Sequence, residues 1–197
     1  ALDNSGNSIE PWDISFWSER MREEKFKVKE EELKPYFSLN NVLNEMFAIA
    51  NRLFGIHIQE KIEDIEKWHS DVRFYDVYDG NNSECEIIAS FYLDPYAREE
   101  TKRGGAWMNT CVDKSRAMNH SIPVAYLVCN GSPPAKDKPS LLSFSEVETL
   151  FHEFGHGLQH MLTQIDLDAI SGISGIEWDA VELPSQFMEN WCYDKET

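Results

Sequence analysis

The sequence predicts a mainly α-helical fold with a small β-sheet, an α+β class, and three observations carry that expectation. The first third holds long stretches with apolar residues at helical spacing. The middle switches to short β-branched and aromatic runs broken by turn residues, and the last quarter returns to a helical pattern that carries three of the chain's six histidines. These changes of period divide the 197 residues into a helical segment over 1–70, a sheet segment with connectors over 71–143, and a histidine-bearing helical segment over 144–197.

In order along the chain, "DISFWSERMREEKFKV" follows Asp13, a residue type suited to an N-cap. The run "KVKEEELK" is a solvated charged face or helix start. In "SLNNVLNEMFAIANRLFGI" the stripe Leu39, Val42, Leu43, Met46, Phe47, Ile49, Ala50, Leu53 and Phe54 predicts a core-facing helix that stops at Gly55. "DVRFYDVYDG" and "CEIIASFYLD" are strands joined by the turn-rich "DGNNSE", and "PVAYLVCN" over 123–130 is a third, in a sheet of three or more. Between the last two, Lys102, Arg103, Gly104 and Gly105 suggest an anion-binding turn. A plain surface turn fits better, because no phosphate-loop Lys and Ser/Thr pair follows. The Pro-rich "GSPPAKDKPSL" leads into the last helix, where Ser145 and Glu148 have capping-box spacing.

Bulk properties exclude some partners. The net charge of −17, from 35 acidic and 18 basic residues, argues against nucleic acid or an anionic membrane surface. No apolar run is long enough to span a bilayer, and "ALDNSGNSIEPWD" lacks a signal-peptide pattern. The four cysteines form no C-x-x-C pair and are expected as reduced thiols.

The chemistry concentrates in "TLFHEFGHGLQHML". Residues four apart share a helix face, so His152 and His156 converge on one point, while Glu153 sits beside it as a candidate proton acceptor. An amphipathic helix alone would explain Val147, Leu150, Phe151, Phe154, Leu158, Met161 and Leu162. It would not explain Gly155 and Gly157, each costly in a helix interior, which predict close approach of another backbone. A metal held by two histidines needs a third protein ligand and an open position. Downstream, Glu177, Asp179, Glu182 and Glu189 are available. Glu182 stands between Val181 and Leu183, where an unpaired carboxylate is costly; it could equally pair with Asp179 as a helix cap, and spacing leaves both open.

"LFHEFGHGLQHML" followed by "SGISGIEWDAVELPSQFMENW", with "KRGGAWM", "PVAYLVCN", "WDISFWSERMRE" and "YFSLNNVL" before them, resembles the thimet oligopeptidase family of zinc metallopeptidases, most of all its oligopeptidase A branch. The resemblance implies a zincin-like catalytic region, hydrolysis of internal bonds in short peptides, and one zinc ion (Zn2+) held by His152, His156 and Glu182, with Glu153 as general base. It also implies that the chain is a piece of a longer enzyme, lacking N-terminal helices and a downstream His- and Tyr-containing segment that stabilises the tetrahedral intermediate. Such a piece would be weakly active or inactive, with Leu43, Met46 and Phe47 partly uncovered and the isolated chain prone to aggregate. The compartment expected is the cytoplasm, or a mitochondrion or plastid if a targeting region lies elsewhere. "PVAYLVCN" is expected to border the cleft and pair with extended substrate. Two alternatives stand beside this: a secreted thermolysin-like enzyme, and a truncated zinc- or peptide-binding chain without turnover.

Overall fold

A computed structural model describes residues 10–27, 29–135 and 139–195. Three helices come first, α1 (Ile14–Phe26), α2 (Glu30–Leu33) and α3 (Leu39–Phe54). Five strands follow: β1 (Ile56–Glu60), β2 (Arg73–Asp79), β3 (Ile87–Tyr96), β4 (Trp107–Val112) and β5 (Val124–Gly131). The long helix α4 (Phe144–Met161) and the short α5 (Leu183–Glu189) close the order. The class is α+β, as the sequence implied.

Helix α3 begins where Ser38 accepts from the Asn41 amide and ends at Gly55, whose φ of +68° turns the chain into β1. Asp13 does not cap α1. It is already helical, makes no side-chain bond to the helix, and instead accepts from the Glu10 amide to close a preceding 3-10 turn. The capping box of α4 also lies two residues earlier than its sequence suggested. Ser143 is extended and bonds the Glu146 amide, while Glu146 reaches back to the Ser143 amide at 2.6 Å. Glu146 is further held by the Ser132 amide and hydroxyl, which fixes that register. Glu148, on the next turn, accepts from the Tyr193 hydroxyl instead.

The strands form one sheet in the order β1-β2-β3-β5-β4, antiparallel except for the β3–β5 pair. The hairpin of β2 and β3 is as expected. The β1 and β4 strands are additional, and they change an expectation about β5. Both edges of β5 are already paired, by β3 and β4, so "PVAYLVCN" has no free edge to offer a peptide. Among the described residues the open edges belong to β1 and β4.

On one face of the sheet Tyr75, Val77, Phe91, Leu93, Ala125 and Leu127 pack with α3 and α4 into a single core. Phe47 lies against Tyr75, Phe91 and Phe154 with ring centroids 5.2–6.2 Å apart. Leu43 and Met46 are buried, contrary to expectation, while Phe47 packs on the core and stays partly uncovered. Burying each such side chain contributes about 1.5–3 kcal/mol.

The "KRGG" turn is anchored inward. Lys102 Nζ bonds Asp94 Oδ1 at 3.0 Å, and the carbonyls of Asp94, Tyr96 and Cys129. Asp94, only 2% exposed, also takes both guanidinium nitrogens of Arg98 and the Trp68 indole. Burial favours the uncharged form of Lys102 by more than Asp94 offsets, whereas Arg98, Trp68 and Lys102 hold Asp94 below the usual carboxylate range against its own burial. The network therefore works as an anchor rather than a surplus of stability. It ties the turn that enters β4 to the ends of β3 and β5.

Candidate metal centre

Helix α4 lies across β5 with its histidine face toward α5. Two glycines set that arrangement. A Cβ on Gly155 would come within 2.5 Å of the Pro184 carbonyl and 2.7 Å of Ser185 Cα, so the backbone of α5 rests on α4 there, as the glycine suggested. Gly157 differs. Its neighbour is the Leu127 side chain, 2.9 Å from where a Cβ would sit, rather than another backbone.

This contact brings Glu182, the N-cap residue of α5, over the two histidines. Glu182 Oε2 lies 3.2 Å from His152 Nε2 and 3.1 Å from His156 Nε2. The imidazole rings stand 4.8 Å apart and 84° from coplanar. One ligand atom from each of His152, His156 and Glu182 falls within 4.8 Å of the others. Ligands of a tetrahedral zinc, each about 2.0–2.2 Å from the ion, stand ~3.4 Å apart, so these two histidines and one carboxylate fit the ion in number and donor type, and the two carboxylate–imidazole separations match that spacing.

Glu182 reaches this place differently from the sequence argument. It is half exposed, and its neighbour Leu183 is among the exposed apolar residues, so burial does not force its pairing. Its side chain makes no cap bond to α5. Ser185, fully buried, donates its hydroxyl to Glu182 Oε2 at 2.8 Å and to the Glu182 carbonyl at 2.9 Å. That hydroxyl, with the two histidines, holds the Glu182 carboxyl below its ordinary range.

One residue of the site carries no assigned role in the sequence. Glu189 Oε1 sits 2.5 Å from His152 Nδ1. A carboxylate only accepts, so Nδ1 donates to Glu189, which leaves Nε2 as the nitrogen that can offer a lone pair to a metal. The signal was present: Glu189 follows Glu182 by seven residues, two helical turns along the same face.

Glu153 occupies a contrasting environment. It is 6% exposed, and its Oε2 has no hydrogen-bond partner among the described residues. Burial pushes its carboxyl up to about 7, with His152 opposing and Glu182 adding to the rise. A carboxyl so poised near neutrality can take and return a proton. His156 is pushed below the usual imidazole range, first by burial, which favours the neutral form that ligates.

The peptidase family M3 model matches residues 2–197. An organellar oligopeptidase A of Arabidopsis thaliana is 55% identical over 196 residues, covering 97% of this chain and 24% of its own length. A probable cytosolic oligopeptidase A of the same plant is 54% identical over 97% of this chain and 28% of its own. Oligopeptidase A of Escherichia coli is 52% identical over 96% of this chain and 28% of its own. The chain thus spans about a quarter of the length of the curated relatives it matches. No described helix is long and apolar enough to cross a membrane.

Proposed function

The chain belongs to peptidase family M3, and from that premise we propose that it carries the metal centre and general base of a zinc oligopeptidase that hydrolyses internal bonds of short peptides. The observation that supports this most is the convergence of His152 Nε2 and His156 Nε2 on Glu182 Oε2 at 3.2 and 3.1 Å, with Glu153 beside them, its Oε2 without a partner among the described residues. His152, His156 and Glu182 would hold one zinc ion. When bound, the ion lowers the pKa of a water and polarises the scissile carbonyl. Glu189 keeps His152 in the tautomer that presents Nε2, and Ser185 aims Glu182. Glu153 accepts the proton of the attacking water on its unpartnered oxygen and passes it to the departing amine, so hydrolysis needs no acyl-enzyme. The free edge of β4 lines up an extended peptide through main-chain hydrogen bonds, which tolerates varied side chains.

Transition-state donors and channel walls would come from other parts of a longer polypeptide, so the chain alone is expected to turn over slowly. Removing one oxyanion donor typically costs ~10²–10³ in rate. The relatives' names include organellar and cytosolic forms, and either compartment suits a peptide-degrading enzyme. The test is zinc content together with cleavage of a quenched fluorescent peptide, by this chain and by a version extended downstream. One zinc per chain with faster cleavage by the extended version supports the proposal. Zinc bound without cleavage by either supports a binding chain instead, and comparable activity in the two would overturn the need for downstream groups.

A further inference from the structure

His160 is a fully buried histidine that no step above uses. It lies one turn beyond His156 on α4. Its Nε2 is 3.0 Å from the carbonyl oxygen of Val112, the last residue of β4. A carbonyl only accepts, so Nε2 carries the proton of this bond. Nδ1 has no hydrogen-bond partner among the described residues. The polar group it faces is Asp113 Oδ1 at 3.9 Å, beyond bonding reach and equally unpartnered. Gly172, with φ of +62°, closes the other side, and a Cβ there would sit 2.4 Å from Nδ1. The one directional bond of this imidazole is therefore to the end of the open edge strand.

Around it three segments meet: the exit of β4, the end of α4 and the loop over 163–175. Lys114 Nζ donates to the Thr163 carbonyl at 3.2 Å, and the Arg116 amide to the Asp166 carbonyl at 2.8 Å. Gln159 reaches the Gly172 carbonyl at 3.3 Å, while the Gly172 amide donates to Thr163 Oγ1 at 3.1 Å. Three of these bonds join α4 and the β4 exit to the loop, and the fourth closes the loop on itself. Only His160 joins the helix to the strand itself among the side-chain bonds described.

We propose that His160 is a positioning residue whose Nε2–H pins the C-terminal end of the β4 edge to the helix bearing His152 and His156, setting the register in which an extended peptide adds to that edge. This rests on the peptidase reading above. The experiment uses zinc-loaded protein in a Glu153→Gln background, so that a short fluorescein-labelled peptide stays intact, and measures its dissociation constant by anisotropy. His160→Leu is expected to weaken peptide binding roughly tenfold, about one hydrogen bond, with zinc per chain unchanged. His160→Gln, which still donates from an amide, is expected within about twofold of its parent. Amide exchange over 110–113 should quicken in His160→Leu and not in His160→Gln. His160→Met, flexible and of similar bulk, replaces the leucine variant if that does not fold. Unchanged peptide affinity in the apolar variant, loss of zinc in parallel, or failure of the glutamine to restore binding would each overturn the proposal. The same measurement is made on the version extended downstream; if its parent binds zinc and no peptide, the peptidase reading fails, and the exchange rates alone decide whether His160 pins the strand.

Discussion

The two helices that build the centre differ in how they are held. The α4 helix is eighteen residues long, capped at Ser143, and buries eleven of its residues. The α5 helix has seven residues, buries Ser185 and Met188, and exposes Leu183 and Phe187. Two carboxylates follow the same division. Glu153 on α4 is buried, unpartnered and raised in pKa, while Glu182 on α5 is half exposed, hydrogen-bonded and lowered. Under the proposed roles, a proton-accepting carboxylate and a ligating carboxylate need opposite surroundings, and the chain supplies these two carboxylates from different helices. A base is made by withholding partners, a ligand by providing them.

The sharpest way to break this comparison is to change each carboxylate in turn. Glu153→Gln should keep the fold and the zinc yet lose ~10²–10⁴ in peptide turnover, measured with a quenched fluorescent peptide on the extended version. Near-normal turnover would remove Glu153 from the role of base. On α5, Glu189→Gln should leave His152 without a strong acceptor and weaken zinc ~10–100-fold in a competitive chelator titration, with little change in thermal stability.

A third test concerns the cost of the withheld partner. The metal-free Glu153 carboxyl has a folded pKa of about 7, above its ordinary 4.5. Stability linked to it is therefore fully present below about 4.5 and is lost as pH rises through about 7. Metal-free Glu153→Gln should gain on the parent in urea midpoint between pH 5 and 8, by up to a few kcal/mol, and the gap should shrink in acid. A gap independent of pH would show that Glu153 is not buried in its charged form.

The smallest effect separates the two glycines. Gly155→Ala meets the α5 backbone and should cost about 1–3 kcal/mol with some loss of zinc affinity, whereas Gly157→Ala meets a movable Leu127 side chain and should cost less and leave zinc alone. Thermal melts with and without zinc would rank them.

How much was legible follows the same contrast. The α4 geometry was readable because helical spacing alone brings His152, Glu153 and His156 together, and α3 because its apolar stripe and Gly55 agree on one length. Placing Glu182 required the resemblance, since its position depends on a contact between Gly155 and Pro184 that no local pattern encodes. Glu189 had a seven-residue spacing but no chemistry until His152 was placed beside it. The Ser145 capping box failed because two overlapping S-x-x-E matches exist, and Glu146 is chosen by Ser132, a tertiary partner. The edge of the sheet was misjudged for a similar reason. Strand order is set by β3 and β4 flanking β5, which is invisible in "PVAYLVCN" itself.

The central claim, that α4 and α5 together make one zinc site with the base standing outside the ligand set, is tested most directly by zinc titration of three proteins followed by metal analysis. The unaltered chain and Glu153→Gln should each retain about one zinc at similar affinity, while Glu182→Gln should bind it far more weakly. Equal retention by Glu182→Gln, or loss of zinc in Glu153→Gln, would contradict the division of roles between the two helices.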